Sequence, residues 1–213
     1  MFACAIALSV AAHFFVVFPF DLKITNELQG EKNPVFVLVM LAVSTVGNTW
    51  IGIMMIGAVA IFYLFKRRLI EAGFILATLS NFVLTFLLKI FIARPRPPYF
   101  LSNPAGTFQF IDRYSFPSGH VIFFVVFFGF IAYIARLHLT GRVRILVIAV
   151  CGMLILLIGP SRVYLGAHWA SDVLGSYIIG ALWLFLIVLG YQLALRKRNA
   201  RLKENSCNYD YGS

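Results

Sequence analysis

The chain has 213 residues, of which 61% are hydrophobic and only 12% charged, with a formal net charge of +10. A soluble domain carries about twice that charged share, so the composition excludes an ordinary globular protein and points to one multi-span helical membrane domain. Nucleic acid is a poor partner for so apolar a chain, whereas a positive-inside orientation and an anionic ligand both fit the excess of cations.

Residues 2–20 are expected to form a first span, retained because the cations and cleavage site of a secretory leader are missing. His13 has no charged neighbour in this run and is expected to be packed and neutral. Residues 21–46 read as a surface connector followed by a short interfacial helix, with a turn at Asn33-Pro34. Residues 47–65 form the second span, opened by Trp50 at headgroup level and closed by Lys66-Arg67-Arg68. Residues 69–88 form the third. Glu71 is expected to pair with the basic cluster beside it, and Asn81 and Thr85 to bond to neighbouring helices. Pro95, Pro97 and Pro98 then force an extended backbone.

Residues 98–117 connect to a phenylalanine-rich fourth span at 118–135. Arg136, Arg142 and Arg144 bracket the next turn, and residues 145–159 form the fifth span. The stretch SRVYLGAHWASD, residues 161–172, leads into the sixth, 173–195, where Ser176 and Gly180 have the spacing of a helix-packing pair. Residues 196–213 are basic and then polar, the pattern of a disordered cytoplasmic tail. The expected fold is all-α: residues 1–195 make one integral membrane bundle of six transmembrane helices, with a short interfacial helix between the first two. Cys4, Cys151 and Cys207 show neither metal-ligand spacing nor a disulfide framework.

With six spans both termini share one face, together with the connectors holding Lys66, Arg67, Arg68, Arg136, Arg142 and Arg144 and the tail cations. The positive-inside rule makes that face cytoplasmic. Lys89, Arg94, Arg96, Arg113 and Arg162 run against the bias in two outward connectors, which suggests an anion to bind.

Three segments share that outward face: Lys89 through Arg96-Pro97; Pro117-Ser118-Gly119-His120; and Arg162, His168 and Asp172. Lys89, Arg96 and Arg162 can neutralise a phosphate from different directions. Ser118-Gly119 at a helix start exposes backbone N–H groups at the positive end of the dipole, and Gly119 permits close approach. The Ser118 hydroxyl can cap the helix, bond a phosphate oxygen, or both. His168 and Asp172, four apart, share a helix face, so the carboxylate can hold one ring nitrogen and leave the other nucleophilic. Two histidines suit displacement, one attacking while the other protonates the departing oxygen. No carboxylate cluster is on hand for a divalent cation, and the cations fill that electrostatic role, so neither metal nor other cofactor is expected.

In this order and spacing, the segments Lys89-IFIARP ending in Arg96-Pro97, PSGH at 117–120, and Ser161-Arg162-VYLGA-His168-WAS-Asp172 carry a resemblance. The chain resembles the type 2 phosphatidic acid phosphatase superfamily, the lipid phosphate phosphatases, over roughly residues 40–190. The resemblance implies a helical bundle and a lipid phosphatase acting at the non-cytoplasmic surface of the cell membrane, on a substrate such as a polyprenyl diphosphate, phosphatidic acid or phosphatidylglycerol phosphate. It makes His168 the nucleophile of a phosphohistidine intermediate, with Asp172 orienting it and His120 as general acid. Lys89, Arg96, Ser118, Gly119 and Arg162 would cradle the phosphoryl oxygens. Arg94 and Arg113 lie outside the signature and read as solvated loop arginines. Trp169 and Tyr164 read as interfacial anchors or packing residues.

Two other readings compete. A phosphotransferase would use the same intermediate with a lipid acceptor in place of water. A transporter or a silent lipid-phosphate binder would use the polar groups without chemistry; a transporter calls for them near mid-membrane, whereas here they stand at span ends.

Overall fold

The computed structural model describes residues 9–15, 17–97 and 114–210, with the side chains of 203–210 excepted. Cys4, Arg113, the side chain of Cys207, the start of the expected first span and the connector 98–113 lie outside the described residues.

Residues 9–14 are helical. They lead into α1 (Pro19–Gly30), whose proline stands in the first turn, where no backbone N–H is needed. α2 (Pro34–Val46) repeats that start, with Asn33 accepting from the N–H of Val35 at 2.9 Å. α3 (Thr49–Phe65) is capped by Asn48, which accepts from the N–H of Trp50 at 3.0 Å. α2 and α3 meet at a 63° bend across Gly47-Asn48.

α4 (Leu69–Ala77) and α5 (Ser80–Ile92) make one apolar run of 24 residues. It extends to Ile92, past the expected end at 88, and stops where Ala93 adopts a left-handed φ of 52°. α6 (Gly119–His138) contains one π-helical turn, Phe124–Phe128. α7 (Gly141–Tyr164) runs straight through Pro160, beyond the expected end at 159. The proline has no N–H to give, and the Tyr177 hydroxyl enters the ladder there. It accepts from the N–H of Gly159 at 3.2 Å and donates to the carbonyl of Ile155 at 2.6 Å. α8 (Ala170–Asp210) absorbs Asp172 and continues through 196–210, where a disordered tail was expected. Apart from Asn199, residues 196–204 are strong helix formers, with no Pro or Gly among them, so the helix has no local reason to stop.

Among the described residues, four helical runs are long and apolar enough to cross a membrane: Leu69–Ile92, Gly119–His138, Gly141–Tyr164 and Ala170–Leu202. The bent α2–α3 pair makes a fifth if it counts as one span. α6 is the most enclosed, with 61% of its apolar window buried against 17% for α7. Its phenylalanines form the centre: Phe123 stacks on Phe127 at 5.4 Å and on Phe82 of α5 at 5.8 Å. In lipid, helices associate through close packing rather than water expulsion. The seam between α6 and α8 shows this. A β-carbon on Gly129 would lie 2.5 Å from Leu184, and one on Gly180 would lie 3.0 Å from Val125, as the small-residue spacing at Ser176 and Gly180 led us to expect.

Several polar residues settle differently from expectation. His13 is exposed, and its Nδ1 donates to the carbonyl of Ile92 at 3.1 Å, one of the acceptors that the end of α5 leaves over. Glu71 is buried and faces His138 at 3.3 Å and the Tyr191 hydroxyl at 3.4 Å rather than the exposed basic cluster. Asn81 donates to the Thr78 carbonyl one turn back, and its side-chain oxygen and the Thr85 hydroxyl take no partner from neighbouring helices. Cys151 is a buried free thiol, a packing residue.

Candidate active site

The first two motif segments are stitched together by backbone. After Ala93 the chain runs extended, and the N–H of Ser115 donates to the Arg94 carbonyl at 2.7 Å. Pro95 and Tyr114 form an antiparallel bridge. The Pro95 carbonyl also accepts from the Ser115 hydroxyl at 3.0 Å and from Trp169 Nε1 at 3.2 Å. Trp169 is therefore a buried strut and not an interfacial anchor. Tyr164 packs edge-on against Phe36 at 5.3 Å. The start of α6 is fastened to α8 by Ser176, which accepts from the N–H of Ser118 at 2.7 Å and donates to the Asp172 carbonyl at 2.6 Å. Ser176 thus does more than provide a small side chain for helix packing.

His168 is buried in the turn between α7 and α8, with Nδ1 2.6 Å from the Ser115 carbonyl oxygen. A carbonyl only accepts, so Nδ1 carries the hydrogen and Nε2 keeps its lone pair. Burial first, and then the charges of Arg96, Arg162 and Lys89, hold the His168 imidazole well below its ordinary range, against the opposing pull of the Ser115 carbonyl. The ring is therefore neutral and nucleophilic at neutral pH. The nearest Asp172 oxygen stands 3.9 Å from Nδ1, so the main-chain carbonyl, and not Asp172, sets the ring's tautomer.

The structure brings Lys89, Arg96 and Arg162 together. Lys89 is buried in the last turn of α5, Arg96 Nη1 donates to the Ala167 carbonyl at 3.0 Å, and Arg162 Nη1 donates to the Ser44 hydroxyl of α2. All three lie within electrostatic reach of both His168 and the half-buried His120, and the two histidines within reach of each other. Ser118 is fully buried, yet its hydroxyl neither caps α6 nor finds another partner among the described residues. A buried hydroxyl with no partner beside a ring of cations suits an incoming anion. Gly119 brings the backbone against α5: a β-carbon there would lie 3.2 Å from Thr85. Arg113 lies outside the described residues.

Comparison with known proteins gives this arrangement a family. The model of the PAP2 superfamily matches residues 69–196, a stretch that contains all three motif segments. The chain belongs to the PAP2 superfamily. Phosphatidylglycerophosphatase B of Bacillus subtilis (strain 168) is 33% identical over 117 residues, 54% of this chain and 54% of that protein. An undecaprenyl-diphosphatase of Sulfolobus acidocaldarius is 31% identical over 141 residues, 61% of this chain and 59% of that one. The matched regions thus span little more than half of those curated relatives. The structure is similar to that of the transmembrane PAP2 type phosphatidylglycerolphosphate phosphatase from Bacillus subtilis, with a TM-score of 0.76 and 26% identity over 91% of this chain and 94% of that one. It shares the fold of Aquifex aeolicus LpxE, with a TM-score of 0.60 and 20% identity over 80% of this chain and 96% of that one. With its apolar helices and its transmembrane neighbour, this PAP2 chain is an integral membrane protein.

Sequence reasoning missed one part of the PAP2 site. Arg94, expected as a solvated loop residue, is buried, and its guanidinium bonds two carboxylates. Nη2 donates to Asp21 at 3.0 Å, and Nη1 donates to Asp172 and, at 2.8 Å, to the Ser171 hydroxyl. Asp21, expected on a surface connector, is fully buried at the start of α1. Asp172 also accepts from the Trp169 N–H at 2.9 Å. A second charged residue two positions before Arg96 and a lone acid just after an apolar run were the only signals available, and neither names its partner.

Proposed function

We propose that this chain is a metal-independent membrane phosphatase, hydrolysing a lipid phosphate or a polyprenyl diphosphate through a phosphohistidine intermediate at the non-cytoplasmic membrane surface. The observation that carries this reading is the neutral His168, its Nε2 lone pair left open by the Ser115 carbonyl and surrounded by Lys89, Arg96 and Arg162. In the first step Nε2 attacks phosphorus, the bond from phosphorus to the leaving oxygen breaks, and His120 donates a proton to that oxygen. In the second, water attacks the phosphohistidine, the phosphorus–nitrogen bond breaks, and His120 takes the water's proton back. Lys89, Arg96, Arg162, the Ser118 hydroxyl and the backbone at Gly119 neutralise and orient the phosphoryl oxygens as charge builds. Asp172 supports the positive charge that the ring carries once it is phosphorylated.

The substrate class follows from the relatives' names, a phosphatidylglycerophosphatase and an undecaprenyl-diphosphatase, and from a site at the end of apolar helices, where a lipid tail stays in the bilayer. The cation asymmetry supports cytoplasmic termini and an outward site. Six spans would be completed by a first span over residues 2–20 and a second over 47–65, with α2 lying in the interface before it.

The test is phosphate release by the purified chain from a panel of lipid phosphates and diphosphates, with chelator present. Wild type should turn over, and His168→Ala should lose orders of magnitude. Activity retained in His168→Ala would overturn the nucleophile, and phosphate appearing only on an added lipid acceptor would make the chain a phosphotransferase.

A further inference from the structure

Two helices begin on the same guanidinium. Asp21 is the third residue of α1 and Asp172 the third residue of α8. Each reaches back to the N–H of the residue before its helix, Phe18 at 3.0 Å and Trp169 at 2.9 Å. Each also accepts from Arg94. Ser171 closes the ring: its N–H donates to Asp21 Oδ1 and its hydroxyl to Asp21 Oδ2, both at 2.8 Å. Phe18 lies 5.3 Å under the guanidinium. All three ionic side chains are 0% exposed, so their charges act through protein rather than water.

The charge balance of this knot is the unexplained feature. One guanidinium faces two carboxylates, which leaves an excess negative charge sealed in the protein on the Asp172 side of His168. With Arg94 and Asp172 alone the pair would be neutral, and Asp172 would have little field left for the ring. Asp21 lies outside the stretch that matches the family model, so it is not one of the signature positions.

We propose that Asp21 is an electrostatic positioning residue of the reaction: by sharing Arg94 with Asp172 it restores a net negative charge behind His168, and that charge stabilises the cationic imidazole of the phosphoenzyme. The proposal rests on the phosphohistidine reading above and deepens it. It also gives α1 a task, since the helix carries the charge to the site. The ionisable groups around His168 come from every element beside it: Lys89 from α5, Arg96 from the extended segment, His120 from α6, Arg162 from α7 and Asp172 from α8, with Arg94 and then Asp21 of α1 behind Asp172.

The experiment is the pH dependence of kcat and KM for the full chain in detergent micelles, with a soluble lipid phosphate as substrate. Asp21→Asn keeps the shape and removes one negative charge. We expect kcat to fall about tenfold, as for loss of one buried charge near the reacting ring, with KM within about twofold of wild type. We also expect the acid limb of the profile to move to lower pH, because imidazolium has lost support. Ser171→Ala breaks hydrogen bonds in the same knot but leaves every charge, so its acid limb should stay at the wild-type position. The double variant Asp21→Asn with Arg94→Gln removes one charge of each sign and should bring the limb back toward wild type, although still more bonds are gone. If Asp21→Asn does not fold, the double variant decides alone: a wild-type limb supports the proposal, and a displaced one overturns it. An unshifted limb in Asp21→Asn, or an equal shift in Ser171→Ala, overturns it too. Wild-type protein inactive on every lipid phosphate would instead defeat the phosphatase reading itself.

Discussion

Gly47 presses against His120: a β-carbon at Gly47 would fall inside contact distance of the imidazole Cδ2 and 3.1 Å from Phe124. The elbow between α2 and α3 is thus a wall of the site, and glycine is there for space, since its φ of −80° suits any residue. Gly47→Ala should fold normally and displace the His120 ring. We expect kcat to drop on the order of 10- to 100-fold, part of the contribution of a general acid, and more for poor leaving groups than for good ones. Comparing an aryl phosphate with an alkyl phosphate checks this; equal losses on both would remove His120 from its role.

The acid limb of activity should lie below the ordinary imidazole range. Burial and three cations disfavour imidazolium at His168, so the ring, the nucleophile of the proposed reaction, stays deprotonated as pH falls past the usual value of 6.5. Arg96→Gln removes one of those cations and should move the limb upward. Stability follows the same linkage. The folded state resists a proton that the unfolded chain accepts near 6.5, so this group's contribution falls as pH drops below that value. Thermal unfolding of wild type and His168→Gln between pH 5 and 7 reads it out.

Ser118→Ala should separate binding from folding. The hydroxyl caps nothing, so the melting temperature should barely move, whereas a phosphate analogue such as vanadate should bind about 10- to 100-fold more weakly, the worth of one hydrogen bond to a charged group. A large loss of stability with unchanged inhibition would show that the serine is structural.

Arg94→Ala should be the most damaging of the single changes. It leaves two buried carboxylates facing each other without their shared partner, a loss of about 3–5 kcal/mol. Chemical denaturation in detergent measures it, and a loss near zero would mean that the knot is solvated in solution.

On the proposed reading chelator should leave turnover unchanged, because Lys89, Arg96 and Arg162, gathered around His168, would meet the phosphoryl charge themselves. Dialysis against chelator followed by a rate measurement checks this, and activity restored only by an added divalent cation would contradict it.

The gathering of Lys89, Arg96 and Arg162 around His168 was legible from sequence because those side chains stand at fixed separations about helix ends. Lys89 and Arg96 flank a helix end, and His168 and Asp172 bracket a helix start, so one-dimensional spacing carried three-dimensional meaning. What escaped was whatever a residue gains from a distant partner. Arg94 looked like any loop arginine until Asp21, 73 positions away, was found beneath it. Helix ends failed for a related reason. Pro160 reads as a stop, yet a tyrosine hydroxyl from α8 satisfies the ladder and α7 runs on to Tyr164. The count of spans depends on whether the α2–α3 bend is one crossing, a matter of angle that hydropathy does not encode.

The grip of Ser115 on His168 is made by main chain, not by side chain. Ser115→Ala would remove the hydroxyl's bond to the Pro95 carbonyl and still supply the same main-chain oxygen, so side-chain substitution cannot reach the group that holds the His168 ring. Only chemistry that edits the backbone itself, such as an amide-to-ester exchange, would expose what that one carbonyl contributes.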